Sequence, residues 1–116
     1  MLPAANRMRT AADFAHTTRR GTKVSRGSVV VYVAAVPDWA APRVGLVVSK
    51  AVGNSVLRHR ASRRIRGAVA PLLGSLPPGT RVVIRALSGA ATDPLLGHSV
   101  ADALSAGVAR HQGAPR

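Results

Sequence analysis

Residues 50 to 66 carry Lys50, Arg58, Arg60, Arg63, Arg64 and Arg66, with His59 among them and no carboxylate. A guanidinium is a planar fork of donors that matches a phosphate bidentately, whereas an ammonium is a point charge. The chemistry on offer is recognition of a polyanion. Soluble helices ordinarily balance a charged face with Glu. With no acid present, repulsion among the five Arg residues weakens an isolated helix. A merely solvated face is the blander reading. Arg58 stands apart, because a cation in the first turn of a helix opposes the macrodipole. An anion bound there reverses that penalty, since exposed N–H groups and Arg58 then face it together. Snorkelling of Arg58 into solvent is the alternative.

The remaining side chains offer little covalent chemistry. There is no cysteine, so disulfides, zinc–thiolate sites and thiol catalysis are excluded. His16, His59, His98 and His111 lack metal-ligand spacing, and the four scattered Asp residues do not suggest a two-metal nuclease site. Gly53-Asn54-Ser55 lacks the Lys-Ser/Thr of a P-loop. No catalytic residue and no metal site of the protein's own is expected.

The elements that must position the basic residues can be read from local pattern. Asn54 is a good N-cap for a helix, and Pro71 limits how far that helix continues. Leu57, Ala61, Ile65, Ala68, Val69 and Leu72 fall on one arc of it, leaving His59, Arg60, Ser62, Arg63, Arg64 and Arg66 on the rest. One face therefore packs and the other is a basic surface. Thr10 caps an earlier helix through Phe14 to about Arg20, with Asp13 in a capping-box position and Gly21 as the stop. Residues 28–36 and 43–49 read as strands, and the short Pro-bounded loop between them suggests an antiparallel hairpin. A further strand is expected at 81–87 and a short one near 23–27. Ser99, with Asp102 in the reciprocal position, reads as the cap of a last helix carrying Val100, Leu104 and Val108. Residues 1–9 read as an extended lead-in.

These elements make an α+β class protein, a single-domain α-β sandwich over residues 1–116 with the order α-β-β-(β)-α-β-α. Its ends, about 1–9 and 111–116, are expected to be flexible. Strand, helix and strand across 43–87 imply one parallel pairing. The 47% apolar content argues against disorder. Charge is the outlier: seventeen Lys and Arg face four Asp, for a formal net charge of +13. Nine of the basic residues lie between Asp38 and Asp93, where there is no acid, so the excess is concentrated mid-chain. Such a field favours nucleic acid or an anionic membrane. No apolar run approaches the ~20 residues of a membrane span, and the N-terminus lacks a signal peptide's apolar core. A cytoplasmic location is the default.

The string Val52-Gly-Asn-Ser-Val-Leu-Arg58-His59-Arg60-Ala-Ser-Arg63-Arg64-Ile-Arg66, preceded by Gly45-Leu-Val-Val-Ser-Lys50, resembles the signature of the bacterial ribonuclease P protein family. The resemblance extends to Leu2-Pro, Asn6-Arg7-Met8-Arg9, Asp13-Phe14, Arg20-Gly21 and Val82-Val-Ile-Arg-Ala. It implies a protein cofactor for a catalytic RNA that removes the 5′ leader of precursor tRNA; the protein itself is expected to be a monomer. The Mg²⁺ chemistry would belong to that RNA. It also implies a left-handed β-α-β crossover containing the basic helix, contrary to the usual hand. Lys50, Asn54, Arg58, His59, Arg60, Arg63, Arg64 and Arg66 would then meet the catalytic RNA. Asn6, Arg7, Phe14 and Tyr32 would line a cleft for the single-stranded leader, with bases stacked on the aromatic rings. Core packing is the alternative for both rings.

This chain departs from the family pattern in four places. Arg58-His59-Arg60 stands for Arg-Asn-Arg, Ser62 for a commonly basic residue, Thr18 for a second aromatic and Gly67 for an often acidic position. A ribosomal protein or general RNA chaperone would share the composition. A DNA-binding regulator is disfavoured, because no helix-turn-helix pairing precedes the basic helix.

Overall fold

Arg81-Val-Val-Ile reads as an apolar run rather than an alternation, and the computed structural model, which describes residues 2–37 and 40–112, gives the reason. Thr80 through Ile84 are buried one after another in the strand β4 (Thr80–Ala86). A strand covered on both faces belongs inside a sheet. β4 lies between β2 (Val29–Ala35), which it meets antiparallel, and β3 (Arg43–Val47), which it meets parallel. With β1 (Thr22–Arg26) outside β2, the four-stranded order is β1-β2-β4-β3.

The antiparallel hairpin expected between residues 28–36 and 43–49 is therefore not formed. Both segments are strands, but β4 separates them. The hairpin is β1–β2 instead, with Arg26 opposite Val29 and only Gly27 and Ser28 in the turn. Gly27 has φ 51°, the positive value that the first central residue of a tight hairpin turn requires. β1 gives a faint sequence signal because only Val24 in it is apolar and buried. The expected turn over 37–42 lies partly outside the described residues.

Three helices cover the sheet. α2 (Ser55–Val69) and α3 (Leu96–Gln112) lie on one face. Ala61, Ile65 and Val69 of α2 and Leu96, Val100, Ala103 and Leu104 of α3 join Val29, Val31, Val33, Val82 and Ile84 in one core. The cap expected at Asn54 is present, its Oδ1 accepting from Leu57 N–H at 3.0 Å. After Val69 the backbone tightens into a 3-10 turn over Ala70–Ser75 with Pro71 in its first positions, as expected of a proline at that point. α1 (Ala11–Arg20) covers the other face and is capped by Thr10, whose Oγ1 accepts from Asp13 N–H.

Two expectations are corrected. The last helix begins at Leu96, not after Ser99, which is buried within it. Asp93 holds the turn that leads into it: Oδ1 accepts from Leu95 N–H at 2.9 Å and Oδ2 from Ser28 Oγ at 2.6 Å. Pro94 follows, a residue suited to the start of a helix because it lacks an N–H. Asp102 instead pairs with Arg26 at 2.8 Å. The lead-in is also not loose. Residues 4–6 form a 3-10 turn, Leu2 and Met8 are buried, and Met8 N–H donates to Val44 O at 3.0 Å. At the other end α3 runs to Gln112, and the Thr22 hydroxyl meets His111 Nδ1 at 3.1 Å. Residues 113–116 lie outside the described set.

The Ser28 hydroxyl, the Leu95 amide and the Arg64 charge hold the Asp93 carboxyl below its ordinary range. A depressed folded-state value contributes stability that is present above the unfolded value, near 3.8, and lost as pH falls through the folded one. We expect the acid limb of a thermal-stability profile to begin below about pH 4. Asp93→Asn should flatten that limb, measured by circular dichroism melts from pH 2 to 7.

Candidate nucleic-acid interface

α2 presents its basic residues in three directions. His59, Arg60 and Arg63 are exposed, with Val56 between them at 64% exposure. Arg58, Ser62 and Arg66, spaced by four, form a half-buried stripe on the flank beside β3. Arg64 turns the opposite way. Its guanidinium donates to Ala91 O at 3.1 Å and Asp93 O at 2.7 Å, with a longer approach to Ala90 O. These are carbonyls of the 3-10 turn Ala90–Thr92 and the residue after it. Arg64, expected at the RNA surface, thus spends donors on the fold. Asn54 likewise acts as a cap, while remaining exposed beside Lys50 at the helix start.

The Arg58 flank is concave. Val48, Ser55, Arg58, His59 and Ser62 line a depression of about 280 Å³. Arg58 Nε is buried and has no hydrogen-bond partner among the described residues. A desolvated guanidinium N–H without an acceptor is costly, and the same side chain lines the depression. His59 and Ser62, two of the four departures from the family pattern, both line this depression, so they change the same small volume.

The second group lies on the α1 face of the sheet. Phe14 is half-buried and its ring sits directly on Gly45: a Cβ at that position would overlap the ring. The glycine is what lets the ring approach β3 so closely. Tyr32 stands on the same face, between Lys23 of β1 and Val83 of β4. The structure thus brings Phe14 and Tyr32 to one surface, opposite the face that carries the core.

Asn6 and Arg7 are used first as structure. Asn6 Nδ2 donates to Pro42 O at 2.8 Å and Arg7 Nε to Leu2 O at 2.9 Å. Arg7 nevertheless lines a cavity of about 160 Å³ together with Met8, Phe14, Gly45 and Arg66. That cavity wraps the β3 edge. Arg66, assigned from sequence to the surface for the catalytic RNA, therefore shares a cavity with a cleft residue. The two candidate surfaces are continuous along the flank of α2.

Sequence reasoning missed the cations on this face. Arg43 lies opposite Arg81, and Arg85 lies opposite Val30 and Val47. Arg43 faces Asp13 at 3.8 Å. The four-residue spacing of Arg81 and Arg85 was a usable signal, because it puts both on the face of Val83. It is masked by the apolar run in which it is embedded.

Among the described residues no cluster of three or more His, Cys, Asp or Glu side chains could hold a metal, and no helix is long and apolar enough to cross a membrane.

A sequence model of the family described as Ribonuclease P matches residues 2–106. The ribonuclease P protein component of Mycobacterium sp. (strain KMS) is 50% identical over 93 residues, covering 79% of each chain. That of Mycolicibacterium vanbaalenii is 46% identical over 119 residues, covering 99% of each. The RNase P protein of Staphylococcus aureus matches in structure with a TM-score of 0.78 at 28% identity, over 90% of this chain and 97% of that one. The RNase P protein of Thermotoga maritima has a TM-score of 0.69 at 21% identity, over 90% and 96%, a likeness of fold.

The division of α2 generates a test. Arg64→Ala removes hydrogen bonds to buried-side carbonyls and should lower stability by about 1–2 kcal/mol. Arg60→Ala and Arg63→Ala, on the exposed face, should shift it by less than about 0.5 kcal/mol. Urea denaturation of the three variants reads this directly.

Proposed function

This chain belongs to the bacterial ribonuclease P protein family, and from that premise we propose that it is the protein subunit of a ribonucleoprotein whose RNA removes the 5′ leader of precursor tRNA. Family membership implies an endoribonuclease activity exercised as part of ribonuclease P. In our reading the exposed face of α2, with the Arg58 flank, meets the catalytic RNA. The α1 face of the sheet holds the single-stranded leader against Phe14 and Tyr32.

One observation carries the reading. The helix that concentrates positive charge has no acid to neutralise it, and among its guanidiniums Arg64 is the one tied to backbone carbonyls of the described fold. A surface of that kind binds phosphates by releasing condensed counterions. It would lower the repulsion between two RNAs brought together, and stacking on the two rings adds a grip suited to unpaired bases.

The chemistry is assigned to the RNA. Of the described carboxylates, Asp13 faces Arg43, Asp93 accepts from Ser28 and Leu95, and Asp102 pairs with Arg26. Each is engaged in a different part of the fold, so among the described residues no two acids stand together to hold Mg²⁺. Magnesium, when bound by the RNA, supplies Lewis-acid activation of water and the leaving oxygen. The protein's part is to bind, to orient and to screen. A cytoplasmic location and a monomeric subunit belong to this proposal.

Reconstitution with the cognate RNA subunit tests it and separates it from a general RNA chaperone, which would not stimulate site-specific 5′ maturation at low Mg²⁺. The holoenzyme should bind leader-bearing precursor more tightly than mature tRNA at matched salt; equal affinities would remove the leader cleft. Arg58→Ala and Arg60→Ala should each weaken assembly with the RNA subunit. They should also reduce the log–log salt slope by about 0.7–0.9 for each phosphate that is no longer neutralised. Wild-type titration curves for both variants would count against the assigned interface.

A further inference from the structure

We propose that Arg85 and Lys23 form an electrostatic clamp on the floor of the α1-face cleft, holding backbone phosphates of the single-stranded leader on either side of Tyr32. The inference rests on the leader reading above and names the residues that hold the strand's charge.

α1 covers only part of that floor. Asp13 meets Arg43 at the start of β3, Phe14 lies on Gly45 at its middle, in the row of Val83, Tyr32 and Lys23, and the turn at Gly21 sits against Val33 of β2. Arg81, in the row of Arg43 and Ala34, is 5% exposed. Arg85 is four residues further along the same strand and on the same face, yet it is exposed. The floor is therefore closed near Arg81 and open near Arg85.

The open half carries the exposed Lys23 and Arg85 and the half-buried Tyr32, over a Val30 that is itself covered. Lys23 lies opposite Tyr32, and Arg85 lies opposite Val30, the next same-face residue along β2. Lys23 and Arg85 are thus separated by two strand spacings and two residues, with Cα atoms about 12 Å apart. Tyr32 is between them. That arrangement fits a strand running across the floor, a base on the ring and a phosphate toward each cation.

Both charges are free to meet a ligand. Among the described residues neither the Lys23 nor the Arg85 side chain makes a hydrogen bond or an ion pair, and the one described carboxylate on this face, Asp13, is beside Arg43 at the covered end. Arg85 is the penultimate residue of the central strand β4, where an Arg still runs against the β-branched preference of strands. Its stem can lie along Val30 while the guanidinium stays in water, where it meets a phosphate bidentately. Lys23 and Arg85 supply charge without a fixed base-edge pattern, so this half of the cleft reads the strand's charge rather than its sequence.

The test uses the reconstituted holoenzyme with Arg85→Gln and Lys23→Gln, which keep a side-chain stem and remove the charge, and Phe14→Ala as the stacking control. Substrates are precursor tRNA with an ordinary leader, the same precursor with a methylphosphonate leader, and mature tRNA. Arg85→Gln should weaken binding of the ordinary precursor about three- to fivefold, the scale of one exposed charged pair. It should leave mature tRNA unchanged and reduce the salt slope for the precursor by about 0.7. On the methylphosphonate leader, variant and wild type should bind alike. The clamp is overturned if Arg85→Gln weakens precursor and mature tRNA equally, or if its loss persists on the uncharged leader. If Phe14→Ala abolishes the preference for precursor while both Gln variants keep it, the cleft stands and the clamp falls. If the wild type shows no preference, both fall together.

Discussion

Burial of β4 on both faces is the constraint from which the rest of the architecture follows. A strand with Thr80 to Ile84 all covered must sit between two others. One neighbour, β3, precedes it by a helix-length connection, so that pairing is parallel and α2 is carried over the sheet. The other, β2, comes from a hairpin and pairs antiparallel. α2 is thereby fixed against the core through Ala61, Ile65 and Val69, and every residue not on that stripe is turned outward or toward a flank. The basic surface is a by-product of how one helix must face to cover one strand.

Electrostatics then separates what the fold needs from what it tolerates. The ion pairs among the described residues, Arg26–Asp102 and Arg43–Asp13, are partly exposed, and such pairs contribute little to stability. Arg64 is different because its acceptors are backbone carbonyls at the end of a turn, groups that regular secondary structure does not satisfy. A single basic cluster in sequence thus contains one structural member and several that repel one another. That repulsion is a standing cost of the free protein, and it diminishes when an anionic partner is present.

Local chemistry was the legible part of the sequence. Thr10 and Asn54 cap the helices they were expected to cap, because a side-chain oxygen reaching an amide three residues on involves no distant part of the chain. The packed stripe of α2 was legible for the same reason. Sheet order was not, since adjacency in sequence says nothing about whether a later strand will insert between two earlier ones. Ser99 and Asp93 are both residue types that cap helices, and Asp93 is held at the helix entry by Ser28 of the β1–β2 turn, a partner 65 residues away. The role of Arg64 depended on where the turn at Ala90 lands. Arg85 was hidden by its own strand, because Val83 between Arg81 and Arg85 makes Val82-Val83-Ile84 look like one apolar run and obscures the face the two cations share. Asn6 and Arg7 were singled out by resemblance, but their hydrogen bonds to Pro42 and Leu2 could be seen only in three dimensions.

The clasp at the amino end, where Met8 joins Val44 along the outside of β3, also bears on when the molecule can be completed. On a ribosome the first residues emerge long before the strand they clasp. β3 in turn has no strand partner until β4 appears, some thirty-five residues later. Only the β1–β2 hairpin can close early; every other pairing of strand with strand waits for residues 80–86, and until then the first segment has only an unpaired β3 to hold. Such non-local closure slows folding and leaves strand edges uncovered in the interim. A nascent chain that carries this charge therefore spends its unfinished period next to ribosomal RNA, the most abundant polyanion in its surroundings.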